Sequence, residues 1–415
     1  MFPIQATRHR TRLALRQIVA LAAFIPGAIL AAARPNVFLF SAKNLTTAQT
    51  SLDRGEPPLQ PALALLRKEA DAALKMKPLS VMDKSRAAPR SDKHDYFSYG
   101  PYWWPDPSKA DGLPYVRRDG QINPESKKDT DDRTWGRTAG AIEMLSLAYF
   151  FTHHEPYAAK AALLARVWFL DPATRMNPNM DHAQAVPGIN NGRGIGLIET
   201  RNLPTIVDSL ALLADSPAWT DADQAAFKHW LENYFAWLQK SANGVDEHRQ
   251  PNNHGTWYDV QAAYLALALG KTSEAKEILT TSLKSRLSSQ VEPDGSQPRE
   301  LVRTKSFEYS LFNLEALLAC AQLSDKAGVD WWNFSTQDRS SLHAALAYLA
   351  AYANPEKPWP KKDLVHPSRT RLLPLFAIYL AHRNDPEFRV LFEKYAPTDP
   401  AARWRLLWEP PAPPR

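Results

Sequence analysis

The sequence predicts an all-α protein, an incomplete (α/α) toroid or barrel of helical hairpins with one long aromatic lid loop. Three observations lead there. Alanine and leucine recur at i, i+3, i+4 and i+7 along most of the 415 residues, the spacing of one helix face. Alternating runs that would mark strands are scarce. Glycine is low at 16 residues and proline high at 34, which disfavours a turn-dense β-sandwich and fits rigid loops between helices. The period predicts helices over 59–74, 135–151, 156–169, 195–213, 220–240, 254–269, 273–287, 306–323, 337–353, 370–382 and 386–395. Residues 35–58 read as irregular. With no sheet to cover them, such helices bury their apolar stripes on one another, and successive hairpins do so by closing into a ring.

The chain begins with what reads as a secretory signal peptide over residues 1–33. Arg8, Arg10, Arg12 and Arg16 make a basic start without acids; a short apolar run follows, broken at Pro26-Gly27 and ending in Ala31-Ala32-Ala33. The run is too short and broken for an anchor, so no stable membrane insertion is expected after cleavage, and the expected location is periplasmic or secreted. Loss of the four arginines takes the formal net charge from +6 to +2. A near-neutral mature chain lacks the footprint of a nucleic-acid-binding protein, and a polyanion would need a local basic cleft. The single cysteine, Cys320, lies in an apolar helical run and reads as a buried structural thiol. Residues 34–400 read as one domain and residues 401–415 as a tail, proline-rich at its end.

Two long stretches break the helical rhythm, residues 92–133 and 171–194. Loops of such length in a compact domain usually bind or cover a ligand. The first holds Tyr96, Phe97, Tyr99, Tyr102, Trp103 and Trp104, flat side chains suited to stacking on sugar rings. Further on, Asn252-Asn253-His254 opens an apolar helix, where asparagine is a natural N-cap. The positive helix end favours anions and disfavours imidazolium, so a neutral His254 beside the Asn253 amide suits a base working next to a bound carboxylate. A plain capped helix fits the same spacing. Arg303 and Tyr309 lie six apart; a guanidinium beside the phenol is expected to lower its pKa from about 10 and make it a usable acid or base. A surface arginine and a core tyrosine fit as well. Metal, serine-nucleophile and nucleotide motifs do not occur, so no metal or cofactor is expected.

Together these residues resemble the alginate-lyase superfamily, polysaccharide lyase family 38 and its relative family 5. The resemblance rests on Asn252-Asn253-His254, on Glu300-Leu301-Val302-Arg303 followed by Tyr309, on the Tyr102-Trp103-Trp104-Pro105-Asp106-Pro107 loop and on the stretch from Pro187 to Gly194. The six-residue step from Arg303 to Tyr309 is closer to family 38, whose resemblance also implies glucuronan as a substrate beside alginate. The implied fold is the α/α toroid. The implied reaction is β-elimination on a 1,4-linked polyuronate, an anionic polysaccharide. Asn253 would donate to the substrate carboxylate, His254 would help neutralise it or act as base from the opposite face, and Arg303 would hold Tyr309 ready. Tyr309 would remove the C5 proton when it lies on the leaving-group side, and protonate the departing O4. Tyr102, Trp103, Trp104, His182, Arg193, Arg201 and Trp257 stand as substrate-binding candidates. The rival readings are a glycoside hydrolase on the same scaffold, with Asp181 or Asp259 as acid candidates, and a non-catalytic periplasmic glycan-binding protein.

Overall fold

The repeated apolar stripes do become packed hairpins. The computed structural model describes Met1 and residues 35–408. The expected signal peptide and the last residues of the expected tail, 409–415, lie outside the described residues. The helices are α1 (Ala42–Asp53), α2 (Gln60–Leu74), α3 (Asp131–Thr152), α4 (Glu155–Ala165), α5 (Leu203–Ala211), α6 (Asp221–Lys240), α7 (Ala242–His248) and α8 (Asn253–Ala268). They continue with α9 (Thr272–Gln290), α10 (Pro298–Leu301), α11 (Ser306–Ala327), α12 (Leu342–Ala350), α13 (Leu372–His382), α14 (Pro386–Tyr395) and α15 (Trp404–Leu407). None of them is long and apolar enough to cross a membrane.

An inner series carries the core. α3 packs on α5, α5 on α8, α8 on α11 and α11 on α13; α2 and α4 flank α3, α6 and α9 flank α8, and α12 flanks α11. Every residue of α8 from Tyr258 to Leu267 is buried, as a helix surrounded by others requires. α11 is buried nearly all round too, Cys320 included, except at Asp325 and Lys326 near its end and along one stripe near its start: Glu308, Tyr309, Phe312 and Glu315 stay partly exposed. These fall at i, i+1, i+4 and i+7, a single helix face. On α8 the partly exposed residues near the start are His254 and Trp257.

The inner helices begin at the same end. The Trp135 indole N–H in the first turn of α3 donates to Asn202, the residue before α5, at 2.7 Å. Arg201 lies 5.2 Å from the Phe312 ring, and Trp257 stacks at a tilt on Phe312 at 5.2 Å. Arg371, just before α13, pairs with Glu308 in the first turn of α11. Five helix N-termini thus converge around one opening.

Several expectations change. Residues 35–58 hold α1, capped by Ser41 and packed through Leu45, Ala48 and Leu52. The expected 195–213 helix is a 3₁₀ segment, Gly194–Thr200, followed by α5, which Pro204 helps to start. The 337–353 helix shortens to α12, capped by Ser341. Two small sheets exist: β1 (Phe97–Tyr99) runs parallel to β4 (His182–Ala185), and β2 (Trp103–Trp104) pairs antiparallel with β3 (Val116–Arg117). The first joins the two irregular stretches, and the second folds the 92–133 stretch on itself. The domain does not stop at 400. α15 packs on α1 and α2, Leu406, Leu407 and Trp408 are buried, and Arg403 bridges Glu69 at 2.5 Å and Glu143 at 3.2 Å.

Candidate active site

The turn into α8 is built around its first residues. The Asn252 side chain caps the helix by accepting from the His254 N–H at 3.2 Å. Arg286 holds the preceding turn: it donates to the carbonyls of His248 and Gln250 and forks onto Asp259 at 2.7 and 3.3 Å. A side chain at Gly255 would strike the Gln250 carbonyl, so only glycine lets α7 and α8 meet this closely. Asn253 is buried, and both its backbone N–H and its side-chain amide donate to Glu300 at 2.8 Å. Its amide is thereby held in place, with one N–H left for a ligand. Nδ1 of His254 lies 2.9 Å from Glu247, a fully buried carboxylate at the end of α7. That leaves the other ring nitrogen, Nε2, for the cleft.

Opposite, Tyr309 stands on the exposed stripe of α11. The Arg303 guanidinium carbon is 3.7 Å from its ring centre, so the expected juxtaposition is real. The expected consequence is not. Burial pushes the phenol pKa well above its usual value, the neighbouring Tyr102 adds to this, and Arg303 opposes without prevailing. Arg303 is itself matched: its guanidinium forks onto Asp119 at 2.8 and 3.2 Å. Burial raises the Asp119 carboxyl, but Arg303 and Thr304 outweigh that and bring it to about 2. Tyr309 therefore rests protonated, its hydroxyl 2.8 Å from that of Tyr102.

The lid carries its aromatics on separate faces. Adjacent residues of a strand point to opposite sides, so Trp103 and Trp104 do not form one platform. Trp103 faces Arg193, 5.6 Å from its ring centre. Trp104 turns to Arg118 and donates its indole N–H to the Gln121 carbonyl at 3.1 Å, within the lid. His182 ties β4 to its own loop through Asn191 at 3.1 Å and lies 3.9 Å from Asp95.

Arg193 and Arg201 differ from Arg303 and Arg371. Arg371 is matched by Glu308 and Glu315, and Arg303 by Asp119. Arg193 and Arg201 have no carboxylate partner among the described residues. Arg193 donates to Gln184 at 2.8 Å and keeps a buried, unpartnered Nε. Desolvation, aided by Arg117, lowers its pKa to about 10. Arg201 is solvent-exposed yet hemmed in by protein, and desolvation lowers its pKa as well. A guanidinium held partly dry with no carboxylate in salt-bridge contact is a ready seat for an anion. The Trp257 indole N–H beside Phe312 is likewise unpartnered.

These groups form a connected circuit. Glu300 holds Asn253 and feels both Arg303 and His254; Glu247 holds His254 and feels Arg193. Asp119, Glu247 and Glu300 were not among the expected site residues. The hydrolase acids fare poorly: Asp259 is buried in the Arg286 fork, and Asp181 accepts from the Trp237 indole at 3.0 Å.

A helical ring whose open end gathers a tyrosine, a histidine, an asparagine and unmatched arginines defines a polysaccharide lyase, and the comparisons agree. Residues 80–359 match the Alginate lyase family, and the chain belongs to that family. It is 36% identical to an alginate lyase from Bacteroides ovatus, over 90% of this chain and 99% of that one, with a TM-score of 0.87. Alginate lyase A1-III from Sphingomonas species A1 shares the fold at 17% identity, over 88% of this chain and 95% of that one, with a TM-score of 0.53. A tyrosine-to-phenylalanine variant of A1-III complexed with a tetrasaccharide aligns at 17% identity, over 89% and 95% of the two chains, with a TM-score of 0.57. A comparison with curated proteins found no match.

Proposed function

We propose that this lyase cleaves 1,4-linked polyuronates, alginate or glucuronan, by β-elimination, with Tyr309 and His254 as its acid–base pair. The observation that carries this reading is the pairing of a protonated Tyr309 with two unmatched arginines, Arg193 and Arg201, where five helix N-termini converge. That end is positive in partial charge and suits a polyanion.

The chemistry follows from the substrate. The C5 proton leaves only when the adjacent carboxylate is neutralised, and the free Asn253 N–H, backed by the start of α8, supplies that. As C5–H breaks, its electrons form the C4–C5 double bond and the C4–O4 bond breaks. Tyr309 holds the proton that O4 needs. Where the C5 proton lies opposite O4, as in guluronate, Nε2 of His254 takes it while Tyr309 donates. Where it lies on the same side, as in mannuronate and glucuronate, Tyr309 first releases its own proton to solvent, which Arg303 over its ring favours, then takes the C5 proton and passes it to O4. Trp103 with Arg193, and Phe312 with Arg201 and Trp257, offer a flat ring beside a cation, the surface that a uronate with its carboxylate fits.

The six-residue Arg303–Tyr309 spacing supports the family 38 branch and hence glucuronan as a candidate. The basic, proline-broken start of the sequence supports export. The polymer is tested by incubating the protein separately with polymannuronate, polyguluronate and glucuronan and following the ultraviolet absorbance of the unsaturated product. A rise on at least one is expected, and silence on all three with folded protein contradicts the proposal.

A further inference from the structure

We infer that Glu247 is a positioning residue that fixes the working tautomer of His254; this rests on the lyase reading above. The geometry is specific. Glu247 is fully buried at the end of α7, and its Oε1 lies 2.9 Å from Nδ1 of His254. Its Oε2 has no hydrogen-bond partner. A buried carboxylate with half its capacity unused is costly unless the imidazole it holds returns something.

The return is chemical. An ionised Glu247 accepts a proton from Nδ1, so Nε2 faces the cleft as a lone pair, the form a base requires. When Nε2 takes the C5 proton, the imidazolium that forms is paired at once with the carboxylate. If Glu247 is protonated instead, it donates to Nδ1, and Nε2–H faces the cleft as a donor suited to a substrate carboxylate. One proton shared between Glu247 and His254 thus decides whether the ring acts as base or as neutraliser. Burial raises the Glu247 carboxyl above its ordinary range, against the opposing pull of His254 and Arg193. The turn that makes this possible is the α7–α8 junction, clamped by Arg286 and by the close approach at Gly255.

The test is a double-mutant cycle on a polymer that the wild type turns over, using Glu247→Gln, His254→Ala and both together. Glutamine keeps the shape and a hydrogen bond but removes the charge. The expected result is a loss in kcat of roughly 10²–10⁴-fold for Glu247→Gln, with KM changed less than about threefold and almost no further loss in the His254→Ala background. Nitrogen-15 NMR of the histidines reads the tautomer without any activity, and the His254 pattern should change in Glu247→Gln while the other histidines keep theirs. Losses that multiply in the double variant, or an unchanged His254 spectrum, overturn the inference. A Glu247→Gln protein that fails to fold overturns it as well, because the role is then structural; Glu247→Asp, which keeps the charge at a longer reach, separates that outcome by retaining more activity than glutamine if charge is what matters. A wild type that makes no unsaturated product would instead sink the lyase reading, while the NMR arm still reports on Glu247.

Discussion

Tyr309 and Arg303 show how a correct contact can carry an incorrect consequence. The six-residue step brings guanidinium and phenol to 3.7 Å, yet Asp119, 184 positions away from Arg303 in sequence, takes up the positive charge. Tyr102 reaches Tyr309 across 207 positions. Glu300 reaches Asn253 across 47 positions, and Glu247, seven residues before His254, is an isolated helix glutamate that passes as a surface charge. The motif residues were legible because chemistry constrains their local pattern; their partners were not, because the fold alone makes those pairs. At this scale the unmatched arginines give a direct prediction. A charge-assisted hydrogen bond contributes about 1.5–3 kcal/mol, so Arg193→Ala and Arg201→Ala should each raise KM by roughly 10–100-fold. The melting temperature should stay near that of the wild type, since neither side chain has a carboxylate partner to orphan. Unchanged KM in both, measured on the preferred polymer, would remove them from the substrate path.

The Arg286 clamp sets the geometry of the element that matters most, the α7–α8 turn. Removing its side chain takes the guanidinium from the buried Asp259, leaving it the His248 imidazole at 3.3 Å, and frees the His248 and Gln250 carbonyls. Arg286→Ala should therefore destabilise the fold by about 3–5 kcal/mol, read by chemical denaturation, and should lower turnover by loosening His254. Helices with an alanine–leucine stripe were legible in the sequence: α8 to within a residue at each end, and α11 at its start, though it runs on to Ala327. α1 was not, because Thr46, Thr47, Thr50 and Ser51 dilute its stripe, and its hydroxyls bond back to the helix or to Glu56. The 195–213 segment kept its apolar period while Gly194, Gly196 and Pro204 broke its backbone. Gly196 has no room for a side chain beside Ala183 of β4, so the 3₁₀ turn presses directly on the strand.

The whole molecule shares one electrostatic trait: carboxylates trapped inside a helical ring. Burial pushes Glu199 up to about 7 although the Tyr96 and Ser98 hydroxyls donate to it. Asp208, which accepts from the N–H groups of Phe38, Leu39 and Phe40 and from Tyr264, is pushed up to about 6. Both bind protons in the folded state at pH values where the unfolded chain, with carboxyls near 4, has lost them. Stability from these groups is thus present below about pH 4.5 and is lost as pH rises through 6 to 7. The thermal midpoint should fall between pH 5 and 7.5, and Glu199→Gln should flatten that slope; a midpoint that climbs through this range contradicts the assignment.

In the proposed elimination, Tyr309 supplies the proton that releases O4. The most direct measurement follows the ultraviolet absorbance of unsaturated uronate from wild type and Tyr309→Phe on the preferred polymer, with substrate binding measured in parallel. Phenylalanine keeps the ring beneath Arg303 and removes only the hydroxyl. Without that hydroxyl, kcat should fall about 10²–10⁴-fold with polymer still bound. A variant that makes the unsaturated product at the wild-type rate would contradict that role.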